Sequence, residues 1–304
     1  MLSSKALDGR VKLYETGVPS QIFVAAMRSL YEECYRILHL FRPRFHGQEY
    51  GNWLSADRLD ILHSVKRHCA MQAARAYTLG MMLRLDGPEK TELVIAALLH
   101  DTHKLEEIRT MESFGRTCEN YDAAQEQAHH WWLGLGIEPE VVKIASSVGH
   151  ESLLEMWFLC CKYWLEGELT PLEVCRLAMH FLDDISIGGN WVDVIGNDGE
   201  NILDARSRKN ASNPRYADLN AHGLEGQKRK LRETAARVGC DLGWNVFLPD
   251  ETAYEAQARI GHMVEAVLSK IVSQRNKTQI TDPKNLPVIL DNQLWYLLCG
   301  EPIN

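Results

Sequence analysis

The sequence predicts an all-α protein. Apolar residues recur at helical spacing along most of the chain, and no segment shows sustained strand alternation. The run Leu93-Val94-Ile95-Ala96-Ala97-Leu98-Leu99 is rich in Ala and Leu and holds neither Gly nor Pro, which marks a buried helix. With 304 residues, of which 45% are apolar, the chain is able to bury a sizeable core as one large domain or one domain with extensions.

Each element follows from local signals. Residues 19–41 read as an amphipathic helix, with Ile22, Phe23, Ala26, Leu30, Cys34, Ile37 and Leu38 on one face. Pro19-Ser20 supplies its start, and Pro43 with Gly47 ends it. A helix from Ala56 to Leu85 stops before Gly87-Pro88, and the next runs from Glu89 to Thr110. Asp122 to Leu135 is a further helix, and Glu138-Pro139 starts another that reaches His150. Leu153 to Glu166 is very apolar and suits a central position or a contact in a homo-oligomer. Thr170 as N-cap and Pro171 at the first position open a helix that carries Asp183. After Gly188-Gly189 the character changes: residues 190–224 are rich in Asn, Asp, Gly and Arg and read as a long structured loop. Gln227 to Val238 and Glu251 to Gln274 read as helices, and a closing apolar segment, Asn292 to Cys299, follows Pro283 and Pro287. The expected organisation is an N-terminal helical extension (1–54), a central helical domain (55–190) and a loop-rich and helical C-terminal extension (191–304).

Composition narrows the partners. The formal net charge of −8 argues against non-specific nucleic-acid binding. It leaves room for a small anionic substrate, because a bound metal and a few basic side chains make a locally positive site in an acidic protein. No run is long enough to span a membrane; Leu153 to Leu165 is too short and is interrupted by Glu155 and Lys162. The first residues, Met1-Leu2-Ser3-Ser4-Lys5, lack an apolar signal core, so a cytoplasmic location is expected. The eight cysteines show no C-x-x-C spacing, which fits reduced thiols and not a zinc ribbon. Cys69 reads as a small core hydrophobe.

The chemistry concentrates at Leu98-Leu99-His100-Asp101, followed by Lys104. A His and an Asp at the end of a buried apolar helix are costly unless paired or coordinating. A divalent metal satisfies both, because neutral imidazole and carboxylate are standard ligands. A bare His-Asp pair is more often a solvated surface feature. Here Arg67-His68-Cys69 lies upstream, and Met179-His180-Phe181-Leu182-Asp183-Asp184 lies downstream. The order is therefore His, then His-Asp, then Asp, each on a separate apolar helical segment. Two His and two Asp make a mixed nitrogen and oxygen set suited to Mn, Fe, Co, Ni or Zn, with Mg as a further option.

That order resembles the HD superfamily of metal-dependent phosphohydrolases. The resemblance covers residues 60–190, less than half of the chain, and the L-L-H-D-x-x-K core, Leu98 to Lys104, is its most specific part. Both His63 and His68 are available as the first His. Small apolar residues five and eight positions on, Ala73 and Ala76, favour His68. Met179, Leu182 and Ile185 around Asp183 favour it over Asp184, which is the fallback. The resemblance implies an HD-type helical bundle in which His68, His100, Asp101 and Asp183 hold the metal. The metal would lower the pKa of a water to make the nucleophile. Asp101, Lys104 and Glu107 would carry the catalysis, Lys104 meeting a phosphate oxygen, with His103 and Glu106 as other acid–base candidates. Arg67, Lys104 and Arg206 would bind the substrate, and Trp191, Arg208, Lys209, Arg215 and Tyr216 suit a nucleotide. An equally simple reading of that loop is a solvated surface.

One metal is expected. A second would use His150 with His129 or His130, although an aromatic packing face is the plainer reading of His129-His130-Trp131-Trp132. The leading functional expectation is a hydrolase that cleaves a phosphate ester or anhydride, its substrate a nucleotide. An HD-type di-iron oxygenase and a non-catalytic nucleotide-sensing module are the alternatives. A (p)ppGpp hydrolase ranks low, because Thr102-His103-Lys104 stands where those enzymes tend to show an acidic pair.

Overall fold

The computed structural model describes residues 56–115, 117–186, 201–238 and 246–299. The helix expected over residues 19–41, and Trp191, lie outside the described residues. Among those described the architecture is all-α, with no strand element. The helices are α1 (Ala56–Met82), α2 (Gly87–Leu99), α3 (Lys104–Phe114), α4 (Cys118–Gly134), α5 (Pro139–Ala145), α6 (Leu153–Glu166) and α7 (Pro171–Asp184). After the segment 187–200 come α8 (Ile202–Ala211), α9 (Ala217–His222), α10 (Glu225–Val238), α11 (Ala253–Asn276) and α12 (Leu286–Cys299).

Helix starts follow the local chemistry. Asp86, Thr170 and Thr252 each cap a helix with their side chains, and Glu89, Glu173 and Glu255 close the reciprocal bond to the cap backbone. At the end of α6, Gly167 takes a left-handed conformation (φ +81°), and its N–H donates to Tyr163 O at 2.8 Å.

The centre of the fold is α7, which packs on α1, α2, α5, α6 and α11. It is buried nearly all round, from Val174 and Cys175 through Leu177 to Asp184, as a helix surrounded by others must be. Residues of α8, α11 and α12 share one apolar core with α1, α2 and α7: Leu203, Ile260, Val264, Leu268 and Leu290 join Leu79, Leu93, Leu99, Leu177 and Leu182. Among the described residues no helix is long and apolar enough to cross a membrane.

Three expectations are corrected. The helix expected to run unbroken from Glu89 to Thr110 is interrupted at His100–His103. There the Thr102 hydroxyl donates to Leu99 O (2.7 Å) and accepts from Trp132 Nε1 (3.1 Å), which pins a turn. The helix starting at Pro139 ends at Ala145, not at His150; Gly149 (φ +68°) turns the chain, and His150 opens a separate 3₁₀ turn. Within the loop expected over 190–224, residues 202–211 and 217–222 are helical. Asn201 caps the first of these through the Leu203 N–H, at 2.9 Å, and Ile202 and Leu203 bury against the core.

Candidate metal centre

Three helices deliver the site. His68 is on α1, His100 and Asp101 are in the turn that follows α2, and Asp183 is in the last turn of α7. The approach of α1 to α7 is fixed by buried polar residues on the His68 face. Gln72 Nε2 donates to Leu182 O at 2.7 Å, and Arg75 Nη1 donates to Ser186 Oγ at 2.6 Å. Arg75 also forms a two-pronged ion pair with Asp291 of α12, at 2.9 and 3.0 Å. Gln72 and Arg75 stand one and two turns beyond His68, so a single face of α1 carries both a ligand candidate and its supports.

The break after α2 sets the next two side chains. Successive residues of a continuous helix point about 100° apart, whereas in this turn both His100 and Asp101 reach the first imidazole. His68 Nε2 lies 3.0 Å from His100 Nε2 and 3.6 Å from Asp101 Oδ2. Asp183 Oδ1 lies 3.6 Å from His68 Nε2 and 3.7 Å from His100 Nε2. His100 Nε2 lies 3.9 Å from Asp101 Oδ2.

These spacings suit a cation. Bonds of about 2.1 Å to nitrogen and oxygen place neighbouring ligand atoms roughly 3.0 to 3.4 Å apart. His68, His100 and Asp101 form a group whose ligand atoms all lie within 4.8 Å of one another, the one such group among the described residues. Asp183 is not part of that tightest group, although its Oδ1 meets both imidazoles. The tautomer also fits. His100 Nδ1 lies 2.8 Å from Ala97 O, and a carbonyl only accepts, so Nδ1 carries the proton and neutral His100 turns a lone pair toward His68.

No protein-family model matches the chain, and no curated protein or solved structure matches it either. The His-His-Asp cluster in a helical protein therefore stands on its own geometry.

Charge is balanced around the cluster. Burial alone would push the Asp101 carboxyl up, but Lys104 and the imidazoles of His100 and His68 hold it at about 2. Burial also opposes ionisation of Asp183, and Arg206 with the two imidazoles overcomes it, holding the carboxyl well below its usual range. His100 is pushed down by burial and raised on balance by Asp101, Asp183 and the Ala97 carbonyl. Lys104 pays desolvation and is kept charged by Glu107 and Asp101.

The other candidates fall at different places. Lys104 Nζ pairs with Glu107, at 3.0 Å from Oε1 and 3.1 Å from Oε2, and keeps 38% of its side chain exposed. Glu107 is thus an ion-pair partner, with His103 Nε2 also 3.7 Å away. His103 is buried against Trp132 with Nδ1 unpartnered, and burial lowers its pKa. Arg206 contacts Asp183 and Asp184. The side chains of His63, Arg67, Glu106 and Arg215 lie outside the described residues.

His150 does not join the His-His-Asp cluster: its ring meets Tyr254 edge-on at 4.6 Å. His129 Nε2 lies 2.5 Å from Ser146 Oγ and its ring packs on Trp132, while His130 Nδ1 donates to Glu126 O, so neither accompanies His150. Sequence reasoning also passed over His180. Its Nε2 lies 3.2 Å from Asp184 Oδ2, and its Nδ1 lies 3.1 Å from Ser152 Oγ and 3.2 Å from Ser147 O. The available signal was the i, i+4 spacing of His180 and Asp184 on a helix whose other residues from Leu177 to Leu182 are apolar.

Proposed function

We propose that the protein is an HD-type metal-dependent phosphohydrolase that cleaves a phosphate ester or anhydride, with a nucleotide as the substrate class. The observation that carries this reading is the convergence of His68, His100, Asp101 and Asp183 from three helices, with imidazole and carboxylate atoms 3.0 to 3.9 Å apart. When bound, a divalent cation supplies a water activated for attack at neutral pH and positive charge for the phosphoryl oxygens.

The chain's own residues do the rest. His100 is held in one tautomer by Ala97 O. Asp101 stays ionised under the influence of Lys104 and the imidazoles. Lys104, braced by Glu107 and partly exposed, offers its ammonium to an incoming phosphate oxygen. Leu98, Leu99 and Trp132 are buried next to the turn that carries His100 and Asp101. The di-iron oxygenase reading has less support, because His150 stands outside the cluster.

The test is phosphate release from a panel of nucleotides with added Mn²⁺, comparing wild type with Asp101→Ala. Release that vanishes in the variant supports the reading and names the preferred substrate. No release from any member removes it, and anaerobic iron loading followed by an oxygen-consumption assay then tests the oxygenase.

A further inference from the structure

The two oxygens of Asp183 face different partners. Oδ1 faces the imidazole pair, 3.6 Å from His68 Nε2 and 3.7 Å from His100 Nε2. Oδ2 lies 3.7 Å from Arg206 Nη2. The same guanidinium donates from Nη1 to the main-chain oxygen of Asp183 and stands 3.8 Å from Asp184 Oδ1. Arg206 is held there by α8, whose Asp204 meets His262 of α11 at 2.9 Å.

A second divalent ion beside the first would need donors on this side of Asp183. The candidates are Asp183 Oδ2, Asp184 and His150, whose buried Nδ1 has no hydrogen-bond partner. That orphaned nitrogen, with Asp184 Oδ2 and His180 Nε2, which also lack a hydrogen-bond partner, is what invites another ion. Space around Arg206 is small: the cavity that it lines with Asp184, Tyr254 and Gln257 has a volume of ≈ 10 Å³, room for about one water. Asp184 is further engaged, Oδ1 accepting from Gln257 Nε2 and Oδ2 lying against His180. A second ion would also sit within a few ångströms of a fixed guanidinium, where like charges repel strongly.

We propose that Arg206 takes the place of a second cation, so that this chain holds a single metal ion. The inference rests on the metal reading above. It assigns Arg206 to the site's architecture and not to the substrate: α8 supplies permanently the positive charge that Asp183 Oδ2 and Asp184 would otherwise draw from a metal.

The experiment is metal stoichiometry. Metal-free protein is reloaded with Mn²⁺, its content measured by plasma mass spectrometry and its ion environment by electron paramagnetic resonance. The expected wild-type result is one Mn²⁺ per chain with the spectrum of an isolated ion. In Arg206→Gln a second ion is expected, its affinity rising at least about tenfold over wild type as the repulsion is removed. Arg206→Lys, which keeps the cation, and His150→Ala should both remain at one. Two ions per wild-type chain, with a coupled spectrum, overturn the proposal but leave the metal reading standing. A folded Arg206→Gln that still binds only one ion overturns the role of Arg206. No ion in the wild type removes the metal reading and this inference together. If Arg206→Gln does not fold, the wild-type and Arg206→Lys stoichiometries decide.

Discussion

His68 and His100 face each other Nε2 to Nε2 at 3.0 Å, and His100 has already committed its Nδ1 proton to Ala97 O. A lone pair on His100 therefore points at the neighbouring imidazole, and a cation or a shared proton must lie between them. His68→Ala is expected to abolish stoichiometric metal binding. In wild type, metal at about 100 times its dissociation constant should raise unfolding stability by about 2.7 kcal/mol. Denaturant melts with and without Mn²⁺ check this; a variant that gains as much stability as wild type would remove His68 from the ligand set.

Lys104 and Glu107 form one unit, and their variants should behave as one. Lys104→Met removes the cation that holds Asp101 down and leaves Glu107 without its ion-pair partner. We expect it to lower phosphate release by roughly 10²-fold or more, on the scale of losing a positioned charge in a transition state. Adding Glu107→Gln to it should cost little more, because paired residues are non-additive. Fully multiplicative losses would show that the two act separately.

His150 gives a pH signature. Burial first, and the Arg206 charge second, lower it from 6.5 to about 4. The unfolded chain thus takes up the proton more readily, so this contribution to stability is present above pH 6.5 and is lost as pH falls toward 4. The difference corresponds to about 3 kcal/mol. His150→Phe should flatten the stability loss between pH 6.5 and pH 4 relative to wild type. The raised pKa of His180, which burial opposes and Asp184 produces, acts in the opposite sense and is common to both proteins. Parallel pH–stability curves would contradict the assignment.

Arg75 and Asp291 are both buried, at 1% exposure each, and join α1 to α12. Asp291→Ala leaves a guanidinium buried without its carboxylate and should cost about 3–5 kcal/mol. Replacing both, Arg75→Met with Asp291→Leu, should recover much of that loss. Urea melts of the single and double variants measure it, and a single variant within about 0.5 kcal/mol of wild type would show the pair to be incidental.

The helical class, the starts of α7 and α11 and the order His68, His100-Asp101, Asp183 could be read from the chain, because apolar periodicity and capping chemistry are local. Thr170-Pro171 with Glu173 carries its own start signal. The break at His100–His103 could not be read, since it depends on Trp132 reaching Thr102 from another helix. Nor could the helices within 202–222: the Asn, Asp and Arg content that suggested a loop is outweighed by Ile202 and Leu203 burying on the core.

By itself the sequence determined the helical class and capped starts such as that of α7, because hydrophobic spacing and end-capping act within a few residues of one another. Tertiary structure decided what those residues face. Whether Asp183 or Asp184 meets the imidazoles, whether Glu107 stands alone or pairs with Lys104, and which carboxylates Arg206 faces all depend on how the helices pack. Side-chain meetings such as that of Arg206 and Asp183, separated by |i−j| = 23 along the chain, are set by buried surface and electrostatic balance across helices, and no local pattern encodes them.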